Sequence, residues 1–378
     1  MRFLIAPDKF KGCLSAVDAA AFIAEGITRA IPDALIDSCP IADGGEGTVA
    51  ALLTARGGRM VRRRVTGPLP EMKVEADFAI LSDGTAVIEM SAASGLALLV
   101  SSDRNPLNTT TFGTGELIAA AIAEGAKKII VGLGGSATVD AGLGCAQACG
   151  CTILMRDGQP TSMSEPLCGR DLANVLMVKH GRGEVTTGID ITAATDVSNP
   201  LFGPLGAPRV FGPQKGATPE IVDRLDADFR TFTARTGTEA EAVQPGAGAA
   251  GGLGFGILTF LRGKIKSGFP IVAESARLKE RLAGVDLCIT AEGRLDDQTS
   301  HGKAVIGVAR LCRDQQVPCI ALLGSIGPGT EHLHREGLTA HFCIADGPMT
   351  LEESMHDIRR LLTNSACNCV RLWQATRK

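Results

Sequence analysis

FLIAPDKFKGCLSAVDAAAFIAEGITRAI, residues 3–31, decides the fold class. The apolar run FLIA (3–6) has the length of a strand, and PDKFKG (7–12) interrupts it with proline, charge and glycine. AVDAAAFIAEGITRAI (16–31) then carries Val17, Ala20, Ala21, Ala24 and Ile27 at helical spacing. Ser15, with Asp18 three residues on, reads as the cap that starts this helix. Strand, polar loop and helix in that order make one βα unit. Outward from it the alternation recurs, with strand-like runs at ALIDSC (34–39), AVIEM (86–90), KIIVGL (128–133), DITAAT (190–195), DLCIT (286–290), CIALL (319–323) and HFCIA (341–345). Strands alternating with helices predict an α/β fold.

A chain of 378 residues exceeds what a single core usually serves. Residues 1–64 supply two βα units and 286–378 three more, which predicts one discontinuous parallel-sheet domain, with 65–285 inserted as a second α/β domain. Thr66–Pro70 reads as a turn, and a polar helix around 219–240 starts at Thr218 and Pro219. No repeat of fixed period and no low-complexity linker interrupts the chain.

A formal net charge of −3, with dispersed Lys and Arg, gives no footprint for a polyphosphate backbone. Arg62, Arg63 and Arg64, between Val61 and Val65, read as a strand with an exposed face. The first ten residues lack the long apolar region of a secretory signal, and no window is apolar enough to span a membrane. The twelve cysteines sit mostly in apolar settings, as at Cys288, Cys319 and Cys343, and suit a reducing, cytoplasmic location. Cys145, Cys149 and Cys151, and the pair Cys367 and Cys369, lack C-x2-C spacing and read as structural thiols.

In an open parallel sheet, ligands bind at the carboxyl ends of the strands. There the first domain places PDKFKG (7–12), ADGGEG (42–47), AEGRLDDQT (291–299) and GSIG (324–327). Asp8, Lys9, Lys11, Asp43, Glu46, Glu292, Arg294 and Asp296 would then face one edge. Carboxylates, cations and free backbone N–H groups on one rim are what phosphoryl transfer requires. Each loop taken singly reads better as a turn with solvated charges, and it is their coincidence on one edge that points to a site.

Inside the insert, KIIVGL runs into GGSATVDAGLG (134–144), a glycine-rich turn with Ser136, Thr138 and Asp140 before a helix, whose backbone N–H groups and hydroxyls could hold phosphate oxygens. A tight turn without ligand is the alternative. GAGAAGGLG (246–254) contains G-x-G-x-x-G but follows no strand, which disfavours a dinucleotide fold. Asp196 in TDVSNP (195–200) is the free-standing candidate for a base toward an acceptor hydroxyl, against a turn-capping role. Lys215 in FGPQKGATPE (211–220) could reach a phosphate or be a solvated loop lysine. Gly263-Lys264 and Gly302-Lys303 are followed by Ile265 and Ala304, so no P-loop is present, and no nucleophile elbow appears.

The ordered blocks IAPDKFKGCLSA, PIADGGEGT, VIEMSAASGL, FGTGELI, GGSATVDAGLG, TDVSNPL, FGPQKGATP, GAGAAGGLG and EGRLDDQT resemble those of the type I glycerate kinase family, from residue 2 to about 346. The resemblance implies a split flavodoxin-like domain carrying an inserted α/β domain, dependence on ATP and Mg²⁺, and (R)-glycerate as acceptor, usually giving 2-phosphoglycerate. The chain has Lys9 where the family more often has Ser, and Ala291 where it usually has Gly. On this basis Asp196, Lys9 and Arg294 are expected to be catalytic, and Asp8, Lys11, Ser15, Asn199 and Glu292 to bind substrate in a cleft between the domains. Gly134, Gly135, Ser136, Thr138 and Lys215 are expected at the ATP phosphates, and Asp43 and Asp296 at the metal. A kinase of another small hydroxy acid and a ligand sensor without turnover are the alternatives; a homo-oligomer is left open, and no nucleic-acid or membrane partner is expected.

Overall fold

The structure, a computed structural model, describes residues 1–179, 185–295 and 304–375. The chain divides into two compact units. One comprises Met1–Asp43, Ala50–Arg56 and Gly268–Lys378, the other Gly44–Val49 and Gly57–Ser267.

The first unit is built on five parallel strands, β1 (Arg2–Ile5), β2 (Leu35–Ser38), β11 (Leu287–Leu295), β12 (Cys319–Ile326) and β13 (Ala340–Cys343). They lie in the order β13-β12-β11-β1-β2. Counted within the unit this is 2-1-3-4-5, the flavodoxin-like winding, whose order reverses between β1 and β11. Two amphipathic helices cover one core: Ile23 and Ile27 of the helix Ala16–Ala30 and Leu362, Ala366 and Val370 of the helix Ile358–Ala375 pack with Phe3, Ile5, Leu287 and Ile289. Ser15 caps the first helix, its hydroxyl accepting from the Asp18 amide at 3.1 Å and donating to the Asp18 carboxylate at 2.6 Å.

The buried stripe of that helix differs from the expected one. Ala16, Ala19, Ala20, Ile23, Gly26 and Ile27 are buried, whereas Val17 is 41% exposed. Gly26 explains the rotation. A Cβ there would stand 2.4 Å from the Thr363 carbonyl oxygen, so the glycine is where the two helices touch backbone to backbone.

The second unit holds a six-stranded sheet of β3 (Gly58–Thr66), β4 (Lys73–Leu81), β5 (Ala86–Glu89), β6 (Lys128–Gly132), β9 (Asp190–Ala194) and β10 (Lys264–Lys266), in the order β10-β9-β6-β5-β4-β3. β5, β6, β9 and β10 run parallel, and β3 and β4 form an antiparallel hairpin on one edge. A separate antiparallel pair consists of β7 (Thr152–Met155) and β8 (Val175–Lys179). Val61 and Val65 of β3 are buried and Arg62–Arg64 exposed; Arg63, on the same face as the two valines, departs from the alternation and donates to Glu124. Phe78, Phe229, Phe232 and Phe255 are fully buried in this unit's core; each such ring contributes about 1.5–3 kcal/mol from the area removed from water.

Two expected loops are strand. β11 continues through Ala291, Glu292, Gly293 and Arg294 to Leu295, and β12 through Gly324 and Ser325 to Ile326, paired from Cys288↔Cys319 to Leu295↔Ile326. Ladder hydrogen bonds join backbone to backbone and tolerate polar side chains, so the loss of apolar character at Glu292 did not end the strand. Ala291 is fully buried in the first unit's core, with its carbonyl accepting from the Asp8 amide at 2.8 Å, so the methyl group in place of the family's usual glycine packs inward.

Candidate active site

In the first unit the reversal of strand order places the carboxyl ends of β1 and β11 side by side. The chain leaving β1 reaches Asp8, which is 5% exposed and accepts the Lys9 amide at 2.7 Å. The Lys9 ammonium lies 3.5 Å from Asp43 Oδ1 and 3.9 Å from Asp8 Oδ1. Asp8, Lys9 and Asp43 are therefore one cluster. Glu292 and Arg294 lie on β11, Glu292 half-buried and Arg294 exposed; Lys11 is exposed. Gly293 brings β11 close to the first loop: a Cβ there would be 3.4 Å from Phe10 Cα and 3.5 Å from the Lys11 nitrogen. Asp296 lies outside the described residues.

In the second unit three neighbouring strands deliver the remaining candidates. The registers Glu89↔Gly132, Gly132↔Ala194 and Ala194↔Lys266 put the ends of β5, β6, β9 and β10 level. β6 therefore ends at the turn 133–140, β9 at Thr195 and Asp196, and β10 at Ser267. Ser267 Oγ donates to Asp196 Oδ1 and fixes the carboxylate's orientation. Asn199 donates to the Leu205 carbonyl at 2.8 Å, and its own carbonyl accepts from the Gly248 amide at 2.9 Å. The glycine cluster 246–254 packs closely against neighbouring backbone. Gly251 has φ +67°, and a Cβ there would stand 1.8 Å from the Thr138 carbonyl oxygen. Only hydrogen can occupy that space.

The Gly134–Ser136 turn is held from several sides. A Cβ on Gly134 would be 2.6 Å from Gly45 Cα, so the loop 44–49 lies against the turn backbone to backbone. Glu89 Oε1 in turn accepts the Gly47 and Val49 amides at 2.9 and 2.8 Å, holding that loop. Lys215 is 2% exposed, and its ammonium donates to Ser136 Oγ at 2.7 Å and the Thr138 carbonyl at 2.8 Å. It is no solvated loop lysine. Burial pulls its pKa down to about 7, opposed by the nearby Asp140 carboxylate.

Asp140, which the sequence placed only as a turn residue, is fully buried. It accepts from the Thr111 amide at 2.8 Å and hydroxyl at 2.7 Å, the Gly142 amide at 3.1 Å and the Gly144 amide at 3.4 Å. Burial raises its pKa, and these four donors oppose the rise. Four donors and no acceptor on one carboxyl group are the environment of a carboxylate. An Asp between Val139 and Ala141 carried the signal, because a carboxyl among apolar neighbours must find donors. Glu89 had no comparable signal, since only the fold brings Gly47 to it.

Switch-point carboxylates and cations in one unit, and a glycine-rich turn beside an oriented aspartate in the other, define the class of an α/β phosphotransferase. Comparison with known proteins makes this specific. The pattern of the glycerate kinase family matches residues 3–374. The chain is 43% identical to the glycerate kinase of Bacillus subtilis (strain 168) over 371 residues, 97% of this chain and 96% of that one. It is 41% identical to the glycerate 2-kinase of Escherichia coli (strain K12), over 94% of this chain and 93% of that one. A crystal structure assigned to glycerate kinase 2 of Salmonella typhimurium LT2 superposes with a TM-score of 0.85 at 38% identity, covering 100% of this chain and 99% of the other. The chain belongs to the glycerate kinase family, and so to the kinases that phosphorylate an alcohol group. Among the described residues no helix is long and apolar enough to cross a membrane.

Proposed function

We propose that the protein transfers the γ-phosphoryl group of ATP to (R)-glycerate and releases 2-phosphoglycerate, in the cytoplasm. The observation that carries this reading is the full-length family match joined to an oriented Asp196 at the end of β9. Asp196 accepts the proton of the attacking hydroxyl, and Ser267 holds the carboxylate in place for it. Lys9, with Lys11 and Arg294, neutralises the substrate carboxylate or the moving phosphoryl group. Asp8 and Glu292 are the candidates for direct contact with substrate, and Asn199 and Ser15 for a supporting part. Ser15 and Asn199 are already engaged, in a helix cap and a turn, so their part is to shape the loops.

The glycine-rich turn receives phosphate through the Ser136 hydroxyl and the backbone of Gly134 and Gly135. Because Ser136 Oγ accepts from Lys215, its own hydrogen remains for a phosphate oxygen. Lys215 acts by holding Ser136 and Thr138. The half-exposed Asp43 carboxylate is the hard oxygen donor that Mg²⁺ takes, and Asp43 would hold it together with Asp296. Bound there, the ion would neutralise phosphate charge.

The test is ³¹P NMR of the product formed from D-glycerate, ATP and Mg²⁺, with an Asp196→Asn variant alongside. The expected result is a 2-phosphoglycerate signal whose rate of formation falls by about 10²–10⁴ in the folded variant. Absence of any phosphoglycerate in the wild type refutes the substrate, and a 3-phosphoglycerate shift refutes the regiochemistry.

A further inference from the structure

Away from these loops, three thiols meet in the core of the first unit. Cys288 on β11 and Cys319 on β12 are register partners in adjacent parallel strands, and Cys312 comes from the helix Ala304–Asp314. All three are fully buried, and their sulfur atoms lie within 4.8 Å of one another. Among the described residues no fourth His, Cys, Asp or Glu atom joins the group.

We propose that Cys288, Cys312 and Cys319 form a binding site for one trivalent thiophilic centre, with arsenite as its simplest soluble form. Sulfurs bonded to one atom at about 2.3 Å stand about 3.5–4 Å apart, a contraction of the observed triangle small enough for side-chain rotation. The missing fourth ligand and the charge balance choose the valence. Zinc takes four protein ligands in a closed site. Three thiolates on a divalent or monovalent ion would also leave net negative charge in an apolar core, which burial strongly disfavours. A trivalent centre with three thiolates is neutral.

The chemistry balances without an oxidant. Arsenous acid exchanges three As–O bonds for three As–S bonds, the three thiol protons leave with the three hydroxyls as water, and arsenic stays trivalent. The other close cysteines lack this geometry: Cys145, Cys149 and Cys151 in the second unit are all buried but do not come within the same reach of one another. Entry requires the helix Ala304–Asp314 to lift from the two strands, so loading is slow and rises with mild urea.

The experiment incubates the full-length protein with arsenite and excess glutathione, a monothiol that outcompetes one-point and two-point attachment. Native mass spectrometry then reads the bound arsenic as one arsenic atom gained and three hydrogens lost. Wild type is expected to hold one arsenic per chain, with a new near-ultraviolet sulfur-to-arsenic absorption. Cys312→Ala, or Cys312→Ser should the alanine variant fail to fold by circular dichroism, is expected to hold none, and Cys149→Ala to hold one. Wild type holding none after incubation in sub-denaturing urea overturns the site, and so does a folded Cys312 variant that still holds one.

Discussion

The turn 134–140 in the second unit and the cluster of Asp8, Lys9 and Asp43 in the first carry similar chemistry in opposite settings. Around the turn, Lys215 and Asp140 are buried and bonded at 2.7 to 3.4 Å to hydroxyls and backbone groups. In the other cluster the Lys9 and Asp43 side chains are 18% and 36% exposed, and their ionic contact is 3.5 Å. Buried charges in low dielectric are strongly committed to their partners, so they fix backbone shape. Part-exposed charges at longer range can exchange partners when a ligand arrives. One region is a mould and the other a set of adjustable contacts.

The strongest way to break this contrast is Asp140→Ala. Four donors would lose their acceptor in a dry interior, and the urea midpoint is expected to fall by the equivalent of about 3–5 kcal/mol. A loss below about 1 kcal/mol would mean that the turn does not depend on this carboxylate.

Lys215 offers a sharper test through pH. The unfolded lysine keeps its proton up to the ordinary value of 10.5, whereas the folded one gives it up near pH 7. Between these values the unfolded state binds more protons, so stability rises with pH, by roughly 1.4 kcal/mol per unit for this group. Buried thiols such as Cys39 and Cys168, raised to about 11 and about 12 from 9.0, act in the opposite sense, their contribution being lost as pH rises above 9. Urea midpoints measured from pH 7 to 8.5 are therefore expected to climb in the wild type and to lose most of that slope in Lys215→Met.

Lys9→Ala should act on binding more than on folding. Removing one charge-assisted contact is expected to raise KM for glycerate about 10-fold in steady-state assays, with little change in the unfolding midpoint. A large stability loss would place Lys9 with the mould. At the small end stands Arg62, exposed and paired with Asp77 at 2.7 Å on the β3-β4 hairpin. Arg62→Ala is expected to leave the urea midpoint within experimental error at physiological salt.

Much of the fold was legible in the pattern of the chain. All eight expected strands form, because short apolar runs bounded by polar loops have few other ways to bury themselves. β4, β7, β8 and β10 were not anticipated, and β10, KIK, has no apolar run to betray it. The Glu292 and Arg294 positions were expected on a loop and lie on β11, since backbone pairing with β12 overrode side-chain polarity. The candidate residues themselves were visible as polar breaks after strands, whereas Glu89 and Thr111 were invisible as partners because their contacts span 40 and 29 residues.

By itself, the order of residues determined the α/β class, the helix caps at Ser15 and Thr218, and the family, because these rest on local spacing and on motifs in series. Tertiary structure alone decided that Asp140 and Lys215 are buried, that Gly251 must be glycine, and that three distant cysteines share one point in space. Burial, close backbone approach and convergence depend on what a long-range fold brings alongside, and a residue's own neighbours in the chain carry no record of it.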